Sequence, residues 1–244
     1  MSRLQGKTAV VTGGGSGIGL GAAKRFIEEG AFVYIFGRRQ EALNAALAQL
    51  GSSARAVQGS VTEPADLDRL YQTVREERGG VDIVFANAGT GSLAPLGEIT
   101  AEQIDHTFGV NVKGVLFTVQ KALPLMKAGG SIILTGSTTS VMGTPQFSVY
   151  SATKAAIRNL ARSWALDLRG TGIRVNVLSP GPTATELSFE VVGEDAMNAL
   201  GATTPIGRIG VPSETGAVAA FLASADSSFM TGGEIFVDGG LAQV

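Results

Sequence analysis

Short apolar runs alternate with amphipathic stretches from one end of the chain to the other. Thr8-Val11 predicts a first strand. Gly17-Glu29 predicts the helix after it, with Ala22, Ala23, Phe26 and Ile27 forming an apolar stripe at helical spacing. Phe32-Phe36 reads as a second strand followed by a helix through Glu41-Leu50, and Ala54-Val57 as a third strand. Pro64 then marks a helix start and leads into Asp66-Arg78. Asp82-Ala86, Ser131-Thr135 and Arg174-Leu178 predict three more strands, separated by two long helices at roughly Ala101-Lys127 and Val149-Leu168. A last helix over Ser213-Ala223 leads to a final strand at Glu234-Val237.

Strands that are apolar throughout are buried on both faces, and strands that alternate with helices are joined by right-handed crossovers. The expected fold is therefore α/β: one doubly wound parallel sheet of about seven strands, with helices on both faces. Such sheets bind ligands at the carboxyl ends of their strands, near the point where strand order reverses. No linker, repeat or low-complexity segment interrupts the pattern, so residues 1–244 read as a single domain. The one long excursion is Gly181-Val211, and a lid or binding loop is expected within 183–211.

Composition narrows the functional classes. A chain 44% hydrophobic and 16% charged describes a well-buried globule rather than a disordered segment. A net charge of −2 without a long basic run argues against nucleic acid or an anionic membrane as partner. With no cysteine, disulfides, thiol catalysis and thiolate metal sites are excluded. The segment Met1-Lys7 lacks a signal-peptide apolar core, and no apolar run reaches membrane-spanning length, so a soluble cytoplasmic protein is expected. His106, the only histidine, has no second histidine or cysteine to cluster with and reads as structural or surface.

Candidate chemistry begins at Thr12-Gly13-Gly14-Gly15-Ser16-Gly17-Ile18-Gly19, which follows the first strand and opens the first helix. Glycines there permit positive φ and close backbone approach, and the helix amino terminus offers unpaired amides to a pyrophosphate. The spacing is longer than G-x-G-x-x-G, with key glycines at 13, 17 and 19, yet its strand-to-helix setting points to a dinucleotide rather than only a tight turn. About twenty residues on, the second strand ends at Gly37-Arg38-Arg39. An acidic residue there would bind the ribose hydroxyl. Gly37 instead leaves room, and two guanidiniums suit a 2′-phosphate, which favours NADP(H). If Arg38 and Arg39 are only a solvated helix start, NAD(H) stays usable.

Tyr150 and Lys154, in Tyr-Ser-Ala-Thr-Lys, lie four apart and so on one helix face. Such pairs are common on solvated helices. A neighbouring ammonium nevertheless favours phenolate and draws a tyrosine from its usual pKa of ~10 toward the working range of an acid/base catalyst.

With glycine loop and Tyr-x-x-x-Lys in this order, the chain resembles the short-chain dehydrogenase/reductase family, whose fold is of Rossmann type, over almost its whole length. Asn87-Ala88-Gly89 matches the family element that supports the central strands beside the adenosine. Asn111 matches the helix asparagine, which implies a water linking Lys154 to solvent. Ser137, thirteen residues before Tyr150, takes the catalytic serine position. Pro180, Gly181, Thr183 and Thr185 fall in the segment that implies a grip on the nicotinamide carboxamide. Ser60-Val61 stands where the family often has Asp-Val at the adenine, and Gly136 where a second serine is frequent. The resemblance implies a catalytic set of Asn111, Ser137, Tyr150 and Lys154, and a homotetramer with contacts near Gly232-Gly240.

Gly91-Ala94, Val141-Gly143, Gln146-Phe147 and Glu186-Leu200 are expected to line the substrate pocket, with Gln146 and Glu186 its polar exceptions. That lining suits a largely apolar ketone or secondary alcohol. Two alternatives stand beside this reading: a 3-oxoacyl-thioester reductase, marked by a basic patch for an acidic carrier protein, and a non-catalytic cofactor-binding regulator.

Overall fold

A computed structural model describes residues 2–244. Seven strands form one parallel sheet in the order β3-β2-β1-β4-β5-β6-β7. They are β1 (Thr8–Thr12), β2 (Phe32–Gly37), β3 (Ala54–Gln58), β4 (Val81–Ala86), β5 (Met126–Thr135), β6 (Arg174–Pro180) and β7 (Glu234–Val237). Strand order reverses between β1 and β4, so the carboxyl ends of these two strands open the crevice in which a doubly wound sheet binds ligands.

The connecting helices are α1 (Gly17–Glu28), α2 (Gln40–Leu50), α3 (Pro64–Arg78), α4 (Ala101–Phe108), α5 (Val115–Ala122), α6 (Ser148–Asp167), α7 (Glu186–Val192), α8 (Glu194–Ala202) and α9 (Pro212–Ala223). Because side chains alternate across a strand, the buried runs feed two cores. Val10, Tyr34, Phe36, Val84, Ile132 and Leu134 pack on one face with α3, α5 and α6. Ala9, Val11, Ile35, Ile83, Phe85 and Ile133 pack on the other with α1, α2 and α9.

Two departures from the sequence expectation matter for function. The helix expected over Ala101-Lys127 is broken. After α4 the chain makes a π-helical segment, Gly109–Gly114, then α5, then a short 3-10 turn at Leu123–Leu125. Asn111 lies in the π segment, fully buried, its amide drawn into bonds outside the helix. Pro124 lacks an N–H to continue α5, and residues 126–127 already belong to β5. The excursion after β6 is not an open loop either: it carries α7 and α8, joined at Gly193.

Candidate active site

A cavity of about 970 Å³ lies above the carboxyl ends of the strands. At one end the glycine loop joins β1 to α1. Gly13 has φ +66°, and a Cβ on Gly19 would lie 2.2 Å from the Gly13 carbonyl oxygen, so the loop can fold back on the helix only with glycine at both positions. Ser16, the residue before α1, makes no capping bond to the helix amides. Those amides stay free for an anion, and this bare helix end beside a glycine loop fits a dinucleotide pyrophosphate.

Beyond the loop the wall continues through Gly37, Arg38 and Arg39 at the end of β2, then Ser60 and Val61 after β3. The Ser60 hydroxyl pairs with Thr62 at 2.8 Å, and the Ser60 amide donates to Asp66 Oδ2 at 2.9 Å. Arg38 is exposed and, among the described residues, makes no ion pair. Arg39 grips the Glu186 carboxylate with both terminal nitrogens, Nη2 to Oε2 at 2.6 Å and Nη1 to Oε1 at 3.2 Å. This pair raises the Arg39 pKa and lowers that of Glu186.

Asn87 locks the crevice. Its Nδ2 donates to the Thr12 carbonyl at 3.1 Å, while the Asn87 and Ala88 amides both donate to Thr12 Oγ1 at 3.0 Å. The ends of β1 and β4 are thereby fixed beside the cavity, with Asn87, Ala88 and Gly89 in its wall.

Tyr150 and Lys154 lie on α6 and face the cavity with Ser137 from the turn after β5. Phe147 stacks on the Tyr150 ring with centroids 4.3 Å apart and planes 18° apart, and Gly91 runs across both rings where a Cβ would lie 3.0 Å from Tyr150. Burial pushes the Tyr150 phenol up to about 12, and its hydrogen bond with Ser137 pulls it back. Lys154 does not draw the phenol down toward neutral pH as its spacing led one to expect. Lys154 Nζ lies 5.4 Å from the ring centroid and donates to the Thr135 carbonyl at 2.9 Å, and burial pulls its own pKa down to about 8. Desolvation thus makes the Lys154 ammonium easier to deprotonate than the permanent cation assumed from spacing.

Asn111 stands behind this wall rather than in it. Oδ1 accepts from the Thr90 amide at 2.9 Å, and Nδ2 donates to the Thr90 carbonyl at 2.8 Å and Thr153 Oγ1 at 3.0 Å. The side chain is thus a clamp between the loop after β4 and α6, with one Oδ1 lone pair left over. Gly136 acquires a reason too. A Cβ there would lie 2.2 Å from Ser179 Oγ, which donates to Glu234 Oε1 at 2.6 Å, and Ser140 Oγ donates to the same oxygen at 3.0 Å. The chain therefore holds the Ser137 turn through a carboxylate on β7 where a second serine would not fit.

Pro180, Gly181, Thr183 and Thr185 close the far side. Thr185 caps α7 through a reciprocal pair of bonds with Ser188 and stands against Gly17. Of the residues expected around a substrate, Gly91, Leu93, Met142, Gly143, Gln146 and Phe147 line the cavity, with Leu187, Val191, Val192, Met197 and Leu200 from α7 and α8. Ser92, Ala94 and Val141 lie outside the wall, as do Phe189 and residues 193–196, 198 and 199 of the expected 186–200 stretch, whereas Thr90, Thr144 and Leu241 join it without having been expected. Leu241 belongs to the carboxyl-terminal turn, and its distance along the chain from every motif hid it. Gln146 has φ +60°, a strained value for a residue with a side chain, held by the bond from the Ala94 amide to its carbonyl at 2.8 Å.

Residues 13–242 match the family described as Enoyl-(Acyl carrier protein) reductase. The oxidoreductase asL5 of Sarocladium schorii is 65% identical over 246 residues, covering 100% of this chain and 99% of that protein. The NADP-dependent (R)-specific alcohol dehydrogenase of Lentilactobacillus kefiri is 37% identical, over 98% of this chain and 97% of that one. Among solved structures, the 3-ketoacyl-(acyl-carrier-protein) reductase of Brucella melitensis complexed with NADH superposes with a TM-score of 0.91 at 31% identity, over 98% of this chain and 99% of that one. The protein belongs to the short-chain dehydrogenase/reductase family. It is an oxidoreductase of that type.

Proposed function

We propose that this protein is an NADP(H)-dependent ketone reductase or secondary-alcohol dehydrogenase for a largely apolar substrate. The observation that carries the reading is the single cavity with Tyr150, Ser137 and Lys154 on one wall, apolar side chains opposite, and Arg38 and Arg39 at the far end. A nicotinamide cofactor supplies the redox chemistry, a hydride exchanged with the carbonyl carbon.

Tyr150 donates a proton to the carbonyl oxygen in reduction and takes it back in oxidation. Its raised pKa keeps the phenol protonated, as reduction requires at neutral pH. Ser137 donates to the same substrate oxygen as charge develops there. Lys154 binds the ribose hydroxyls beside the nicotinamide. Asn111 acts by position, holding Thr90 and α6 so that Tyr150 meets the substrate at a fixed distance. The segment 183–211 serves as a lid, since α7 and α8 present Leu187, Val191, Met197 and Leu200 to the substrate end and exclude water there.

A 3-oxoacyl-thioester reductase would use the same catalytic residues, and the family description and the Brucella relative favour it. Against it, the cationic residues in the cavity wall are Arg38, Arg39 and Lys154. Arg162 and Arg169 border a separate cavity beside Lys7 and Arg174, at the amino ends of the strands, away from the substrate opening where an acidic carrier would dock. A non-catalytic regulator is disfavoured by the complete catalytic set. The reading also takes the protein as a homotetramer.

The decisive experiment follows nicotinamide absorbance with a panel of ketones and secondary alcohols, using both cofactors. Turnover of simple ketones with NADPH is expected. Tyr150→Phe abolishes turnover while NADPH still binds, and retained turnover would remove the mechanism. Replacing Arg38 and Arg39 by Gln raises KM for NADPH by at least about tenfold with little effect on NADH, as loss of charge-assisted phosphate bonds requires. Equal effects on the two cofactors would reject the NADP(H) assignment.

A further inference from the structure

Arg39 was expected to await a ligand, yet the fold has already given it one partner. Glu186 is the first residue of α7, 147 positions along the chain, and its carboxylate meets the Arg39 guanidinium through two parallel bonds of 2.6 and 3.2 Å. The root of α7 is held in place independently: the Thr185–Ser188 cap fixes its first turn, and Thr185 stands against Gly17. Glu190, one turn further along α7, also faces the cavity and acts on Arg39 through its charge. Both partners of the pair are well exposed, Arg39 by 59% and Glu186 by 61%, so the pair is readily exchanged with a ligand.

We infer that Glu186 is a specificity-determining residue: it competes with the 2′-phosphate for the Arg39 guanidinium and thereby sets how strongly the protein prefers NADP(H) over NAD(H). The inference rests on the reading of Gly37-Arg38-Arg39 as the 2′-phosphate site. A dianionic phosphate offers the same planar donors a stronger acceptor, and it repels a carboxylate at close range. Seating the phosphate therefore requires Glu186 to let go. A 2′-hydroxyl carries no charge to compete with, so NAD(H) leaves the pair intact. Glu186 thus returns from α7 the negative charge that Gly37 leaves out of β2, in a form the phosphate can displace. It tempers the preference without abolishing it.

Calorimetric titration of NADPH, NADH and adenosine 2′,5′-bisphosphate tests this on the wild type, Glu186→Gln, Arg38→Gln, Arg39→Gln and the double variant at 39 and 186. Glu186→Gln is expected to tighten NADPH and the bisphosphate by about fivefold and to change NADH less than about twofold, the range an exchanged surface ion pair allows. The gain disappears when Arg39 is already Gln. If Arg39→Gln weakens NADPH selectively while Glu186→Gln leaves all three ligands unchanged, or moves NADPH and NADH equally, the competition is refuted and the phosphate site survives. If Arg38→Gln alone weakens NADPH, Arg39 does not read the phosphate and the competition is refuted as well. If neither arginine discriminates between the cofactors, the phosphate site itself fails and this inference falls with it.

Discussion

Lys154 is only 3% exposed, and among the described residues its ammonium has one hydrogen-bond acceptor, the Thr135 carbonyl. Burial of that kind is unfavourable for a charge, and the fall of its pKa from 10.5 to about 8 expresses the cost. A lowered lysine pKa means that the folded protein binds the proton less tightly than the unfolded chain. The burial therefore costs nothing above pH 10.5, and the cost builds as pH falls from 10.5 to 8, levelling off below 8 at about 3 kcal/mol of lost stability. Replacing Lys154 by Met should raise the thermal midpoint of the cofactor-free protein at pH 7 while abolishing turnover. The gap from wild type should narrow as pH rises from 8 toward 10, and a lower midpoint for the variant by calorimetry would contradict this. The helical spacing of Lys154 from Tyr150 was legible in the sequence. The spacing could not report that the amine would be desolvated, because burial depends on the strands and turns that close over α6.

At the scale of elements, the π-helical segment at Gly109–Gly114 shows how a local irregularity serves the site. Three bonds from the Asn111 side chain join it to Thr90 and Thr153, and a fourth runs from Thr153 Oγ1 to the Tyr150 carbonyl at 2.6 Å. Replacing Asn111 by Ala leaves buried partners unsatisfied and should lower the unfolding free energy by about 3 kcal/mol in a urea titration. It should also lower kcat more than it raises KM, since it loosens the seat of Tyr150 rather than a substrate contact; unchanged stability would show that the clamp is not structural. The periodicity of 101–127 gave no sign of the break. Apolar residues continue at helical intervals on both sides, and what opens the ladder is a hydrogen-bonded partner on another element. The start of β5 was hidden for a similar reason: Met126 is recruited by pairing with Val81, across an irregularity in register, in a stretch whose Lys127, Ala128 and Gly129 are exposed.

Across the whole molecule, ion pairs tie the margins of the fold together. Glu29, after α1, accepts from the Arg3 amide and side chain and from Arg25 Nε, which brings its pKa from 4.5 to about 2. Glu214, near the start of α9, is brought down to about 2 by Arg208 and the Val211 amide. A depressed carboxylate pKa stabilises the fold above its unfolded value, and the benefit is lost as pH falls through the folded one. The thermal midpoint should therefore fall as pH drops from 4.5 to 2. Glu29→Gln should start from a lower midpoint at pH 7 and fall less steeply over that window; parallel curves for wild type and variant would refute the assignment. Among the described residues, no helix is long and apolar enough to cross a membrane.

The sequence by itself determined the order of strands along the chain, their alternation with helices, the glycine loop between β1 and α1, and the helical spacing of Tyr150 and Lys154, because each of these depends on periodicity or on spacing within one element and its neighbour, whereas Asn87 and Ser137 were reached only through the family resemblance. Tertiary structure alone decided that Arg39 meets Glu186, that Asn111 clamps rather than lines the cavity, that Leu241 joins the cavity wall, and that burial lowers the Lys154 pKa. These are contacts between segments far apart in the chain or consequences of excluded water. Neither leaves a periodic trace, and both exist only once the sheet has brought the carboxyl ends of its strands together.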